Sequence, residues 1–193
     1  MKARRREQQR IRSEVELEFD GLRGTKWRLT SKQTPRYNCI AWAVGEKHRP
    51  WDLLRGYWPD GVPRTGCLTS LIAAYQTKGF EICDEAPLEY DQSFDKVVLY
   101  GVQTGSGHEW QHAAKLMPNG MWSSKLGNWV DIQHEQPEHV NHADYGEPLV
   151  YMRKAKRCAA TQSSKGSRTK VEKDGESRAG RDSEKLPHPP EVP

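Results

Sequence analysis

The chain has 193 residues, a formal net charge of +4 and 35% hydrophobic residues. That is one domain of ordinary size with extensions, and so mild a charge does not by itself call for a nucleic-acid partner. No run nears the roughly 18 apolar residues of a membrane span, the arginine-rich start lacks the apolar stretch of a secretory signal, and Cys39, Cys67, Cys83 and Cys158 are spaced neither as a disulfide framework nor as a CxxC zinc pair; a cytoplasmic protein with reduced thiols and no membrane partner is expected.

All seven tryptophans lie between Trp27 and Trp129, and all seven tyrosines between Tyr37 and Tyr151. The aromatic part, residues 25–154, is long enough for a real core. Residues 1–24 read as a charged N-terminal arm, either helical or disordered, that runs from Arg4-Arg5-Arg6 to Glu14, Glu16, Glu18 and Asp20. A solvated arm is the expectation for so short a basic tract, and nucleic acid is not expected as a partner. Lys26–Gln33 can hold a short strand.

Tyr37-Asn38-Cys39-Ile40-Ala41-Trp42-Ala43-Val44-Gly45 predicts a short apolar helix, with Asn38 as N-cap and Gly45 ending it. Cys39 then stands in the first turn, where the helix dipole favours a thiolate. A buried cysteine that only packs is the plain alternative. After Arg49–Leu54, Gly56–Pro63, rich in aromatics, Pro and Gly, is an ordered loop; such an aromatic loop can line a groove or cap the core, and Trp58 is a candidate substrate contact. Thr69–Lys78 is a second helix with an apolar stripe, and Gly79–Cys83 leads into a strand. Cys67 and Cys83 are expected in the core.

Asp84–Asp95 is acidic and loop-like. Lys96–Val102 is a β-branched strand, Thr104–His108 a turn, and Glu109–Met117 a second strand. Asn119-Gly120 is a strong hairpin signal, so Met121–Gly127 returns as a third strand. Residues 128–146 carry Asp131, His134, His139, His142 and Asp144 without an assigned element, and Pro148–Arg153 is a last strand that closes the sheet. From residue 155 to 193 the aromatics vanish and a disordered tail is expected. Helices followed by an antiparallel meander give an α+β fold.

A cysteine nucleophile needs a base and a group that orients it. His112 lies on the second strand, and Ser124 on the third can pair across from it. With Cys39 at a helix tip, this pattern resembles the papain-like bacterial cell-wall peptidases and amidases of the NlpC and CHAP type. The similar parts are Tyr37-Asn38-Cys39 and the stretch from His112-Ala113-Ala114 through Asn119-Gly120 to Ser123-Ser124. Asn38-Cys39-Ile40-Ala41-Trp42-Ala43, Tyr57-Trp58-Pro59, His112-Ala113-Ala114, Ser124-Lys125-Leu126-Gly127, Asp131-Ile132, His134 and Tyr145-Gly146 also resemble a bacterial domain family of unknown function.

The papain-like resemblance implies a cysteine hydrolase or acyltransferase acting on a peptide or other amide, with no cofactor. Cys39 is the nucleophile, His112 the base, and Ser124, or instead Asp131 or His134, the orienting group. The Cys39 N–H and the Tyr37 hydroxyl would hold the oxyanion, beside Asn38, and Lys125 would bind an acidic substrate group. A catalytically inactive binding or regulatory module of the same fold is the alternative. The scattered histidines carry no metal signature, and no metal is expected.

Overall fold

A computed structural model describes residues 2–83 and 89–156. Residues 84–88 of the expected acidic loop 84–95 and residues 157–193 of the expected tail 155–193 lie outside the described residues, while Ala155 ends the last strand. The elements are α1 (Lys2–Glu18), β1 (Trp27–Leu29), α2 (Cys39–Ala43), α3 (Leu68–Gln76), β2 (Glu81–Ile82), β3 (Phe94–Thr104), β4 (Gly107–Leu116), β5 (Trp122–Lys125), β6 (Asp131–His134) and β7 (Glu147–Ala155), with 3₁₀ turns at Asp20–Leu22 and Pro137–Val140.

The strands form one seven-stranded sheet of order β1-β6-β5-β4-β3-β7-β2. Every pairing is antiparallel. The run β3-β4-β5-β6 is the expected meander. β7 does not close an edge. It slots between β3 and the two-residue β2, with Val97 opposite Met152. The fold is thus mixed α and β around an antiparallel sheet.

Both sheet faces are covered. One carries α2, α3 and the aromatic loop, whose Ile40, Trp42, Trp51, Trp58, Leu71 and Tyr75 pack with Val97, Leu99 and Ala113. The other carries α1 and the two 3₁₀ turns, where Val15, Phe19, Leu22 and Val140 pack with Val98, Tyr100, Ala114, Trp122 and Ile132. Successive strand residues point to opposite faces, so burial on both explains why Val97-Val98-Leu99-Tyr100 is apolar without alternation. The basic arm is therefore a helix anchored by its apolar stripe. Trp51 and Trp58 cap the core: both are almost fully buried, with Trp58 stacked on Trp110 at 5.9 Å.

Two expectations about the thiols fail. Cys67 is exposed and Cys83 half-buried. Cys67 is the N-cap of α3, with extended dihedrals, and the apolar stripe starts one residue later at Leu68. The helix-tip position also does not lower the Cys39 pKa. Burial pushes it up to about 11, because a five-residue helix offers little dipole to offset a desolvated charge.

Candidate active site

Asn38 fixes the start of α2. Its Oδ1 accepts from the Ala41 N–H at 3.1 Å, which is the N-cap bond, and from the Trp51 N–H at 3.2 Å. Its Nδ2 donates to the Trp51 carbonyl at 2.6 Å. One side chain thus closes the helix and ties the aromatic loop to it. Gly45, at φ +88°, ends the turn as expected.

Cys39 is 9% exposed, at the tip of α2. Burial dominates its titration. The N–H groups of Ala113, Ile40 and Cys39 itself and the charge of Lys125 act in the opposite sense. The thiol therefore lies beside the β4 main chain at Ala113, one residue beyond the last β4–β5 pair, Ala114 with Ser124. At neutral pH it is protonated.

His112 precedes Ala113 and is fully buried. Its Nε2 lies 3.0 Å from Ser124 Oγ, which lies 2.9 Å from His134 Nε2, and His134 Nδ1 lies 2.7 Å from the Gln136 carbonyl oxygen. The three side chains sit on β4, β5 and β6 as a diagonal row on one sheet face. Burial lowers the His112 pKa to about 3, with His134 adding to the effect, and lowers that of His134 to about 4. Both rings are neutral.

Neutrality and the terminal carbonyl fix every proton in the row. A carbonyl only accepts, so His134 donates from Nδ1 and its Nε2 must accept. Ser124 has one proton, which goes to His134 Nε2, so Ser124 Oγ accepts from His112 Nε2–H. His112 Nδ1 is left with a bare lone pair. It is buried and has no hydrogen-bond partner among the described residues, Cys39 included.

Tyr145 covers the His112 ring, stacked at 4.3 Å and 20° between planes, while Tyr100 meets it edge-on at 5.1 Å. Burial raises the Tyr145 pKa, and a charge on Cys39 would raise it further. Gly146 positions the Tyr145 ring. At φ +73°, a Cβ there would stand 2.0 Å from the Gly101 carbonyl oxygen. Sequence reasoning singled out Tyr145-Gly146 only as part of a motif, and it missed Gln136, whose contribution is a backbone atom.

The opposite sheet face holds a second polar group. The Tyr37 hydroxyl donates to Asp131 Oδ2 at 2.7 Å. Lys125, fully buried, donates to the Trp129 carbonyl at 2.7 Å and stands 5.6 Å from the centre of the Tyr37 ring. Burial lowers its pKa, against the pull of Asp131 and Cys39. Asp131 Oδ1 is buried without a partner among the described residues. The structure thus joins His112 with Ser124 and His134, and Tyr37 with Asp131 beside Lys125. Cys39 packs with Tyr37 and Ala113, on the face of the second group, while Trp58 lies in the aromatic cap. Elsewhere, Glu18, His142 and Asp144 offer ligand atoms within 4.8 Å of one another, with both carboxylates exposed. No helix of the described residues is long and apolar enough to cross a membrane.

Comparisons with curated proteins and with solved structures give no match. A family model described as a domain of unknown function, DUF7689, matches residues 28–153, which hold Cys39, His112, Ser124, Asp131 and His134. The chain belongs to the DUF7689 family of domains of unknown function.

Proposed function

We propose that the chain is a cysteine hydrolase or acyltransferase of papain-like design that acts on a peptide or other amide-containing substrate. The observation that carries this reading is the buried, unpartnered lone pair of His112 Nδ1, held in the basic tautomer by Ser124, His134 and the Gln136 carbonyl. An unused buried acceptor is costly unless it has a task.

In the proposed step, Cys39 Sγ attacks the substrate carbonyl carbon and its proton passes to His112 Nδ1 as the C–S bond forms. The carbonyl oxygen becomes an oxyanion facing N–H groups at the tip of α2. His112 then returns the proton to the leaving amine as the C–N bond breaks. Water or another nucleophile releases the acyl group. Because the resting thiol and imidazole are both neutral, proton transfer accompanies attack rather than preceding it. Lys125 favours negative charge at sulfur throughout.

The burial of Cys39 and its raised pKa favour a second reading, an inactive papain-like module whose cysteine packs the core. Treatment with a p-nitrophenyl ester separates the two. An acetyl group on the peptide containing Cys39, absent from a His112→Gln variant of unchanged fold, supports the enzyme. Acetylation confined to exposed Cys67, or none, supports the module.

A further inference from the structure

The N-terminal half of α1 carries Lys2, Arg4, Arg5, Arg6, Arg10 and Arg12 against a single acid, Glu7. Two grooves flank this half where it crosses the edge of the sheet at β1. The first, of about 500 Å³, is lined by Arg5, Arg6, Gln8, Arg12, Arg28 and Leu29 and contains no carboxylate. The second, of about 790 Å³, includes Arg4, Arg10, Lys32 and the half-buried Trp129, with Glu7 as its one carboxylate. Gln8 and Leu29 line both, so the grooves form one strip.

The strip is held in place. Arg12 lies over the Trp27 ring at 4.2 Å and pairs with Glu16 at 3.1 Å, and the Arg28 guanidinium donates to Gln133 at 2.7 and 3.0 Å. Arg10 is taken by Glu7 and Glu14. Among the described residues, Arg4, Arg5, Arg6 and Lys32 have no ion-pair partner. The apolar side of α1 is spent on the core through Ile11 and Val15. Among the large apolar residues of α1, Leu17 alone stays exposed, too little apolar surface for a lipid-bound helix.

We infer that this strip binds single-stranded nucleic acid. Arginine forks match phosphate oxygens, and the half-buried Trp129 beside cations offers aromatic surface to an unpaired base. A duplex keeps its bases stacked and cannot use Trp129. The span from Arg4 to Arg12 is about 12 Å of helix, enough for about three to five phosphates counting both grooves, which for a single strand means a log–log salt slope of about −2 to −3.5. The short basic tract predicted a solvated arm; docking α1 beside Arg28, Lys32 and Trp129 assembles a surface that the tract alone lacks.

The test is fluorescence anisotropy of the full chain with labelled twelve-nucleotide RNA and DNA strands of the same sequence across a salt series. The expected result is saturable binding to one or both, with a slope in that range. Arg5→Glu combined with Arg6→Glu should weaken binding at least about tenfold and flatten the slope, and Lys32→Glu should weaken it through the second groove. Arg55→Glu, outside the strip, should not. These side chains are exposed, so the variants should melt as the parent does. No saturable binding, binding unaffected by the Arg5/Arg6 reversal, or equal binding to poly-glutamate of matched charge would overturn the proposal.

Discussion

His134 donates its Nδ1 proton to the Gln136 carbonyl over 2.7 Å, and this bond determines where His112 carries its own proton two side chains away. A backbone acceptor at the end of the row leaves no freedom. His134 must accept at Nε2, Ser124 must donate to it, and His112 must be protonated at Nε2. In this account Ser124 is a relay, and the orienting group is a second imidazole anchored to the main chain.

Replacing His134 by Leu should release that constraint. Ser124 could then donate to His112, and the Nε2–H tautomer would no longer be enforced. Nitrogen-15 spectra of the imidazoles should show His112 losing its single tautomer, while His134→Gln, which can both accept and donate, should retain it. Leaving Ser124 short of one buried bond should also destabilise the fold by about 1–3 kcal/mol in urea unfolding.

Acid should destabilise the protein early. His112 and His134 have pKa values lowered by burial from the ordinary 6.5 to about 3 and about 4. Between those values and 6.5 the unfolded chain binds protons that the folded chain refuses. Stability therefore rises with pH through this window and levels off above it. At pH 5 each ring should subtract about 2 kcal/mol relative to pH 7. Urea midpoints at the two pH values check this, and a His112→Gln, His134→Gln double variant should flatten the difference.

Much of this row is legible in the sequence. The Asn38 cap, the Gly45 stop and the Asn119-Gly120 hairpin are local signals, and the hairpin alone brings Ser124 near His112. β6 was not legible, because Asp131, Ile132, Gln133 and His134 are all buried and three of them are polar, so no apolar alternation marks the strand. The Gln136 carbonyl has no side-chain signature at all. The raised thiol pKa is not legible in the sequence, which shows position on a helix but not the desolvation that outweighs it. The docking of α1 depends on Ile11, Val15, Phe19 and Leu22 meeting a surface built by strands a hundred residues away, which spacing within the arm does not reveal.

Lys125→Met removes the buried cation that favours charge on Cys39. The pH profile of Cys39 alkylation should move to higher pH, and an unchanged or lower midpoint would show that Lys125 does not act on the thiol.

Gly146→Ala forces a Cβ against the Gly101 carbonyl at a positive φ. A loss of more than about 2 kcal/mol is expected from strain and displacement. As Tyr145 shifts from the His112 ring, hydrogen exchange at Ala113 should quicken relative to that at Val98.

Cys39→Ala removes one buried sulfur from a packed site and should destabilise by less than about 2 kcal/mol. Circular dichroism should be unchanged, while acyl transfer from the ester should vanish from this position.

The most direct measurement is the rate of Cys39 alkylation by iodoacetamide at pH 7, followed by peptide mass spectrometry, in the parent and in His112→Gln. If His112 Nδ1 is the base for this thiol, the rate at Cys39 should fall by at least about a hundredfold, the lower end of general-base contributions, while Cys67 reacts equally in both. Equal rates at Cys39 in the two proteins, or no reaction of Cys39 in either, would contradict the pairing and leave the cysteine as part of the core.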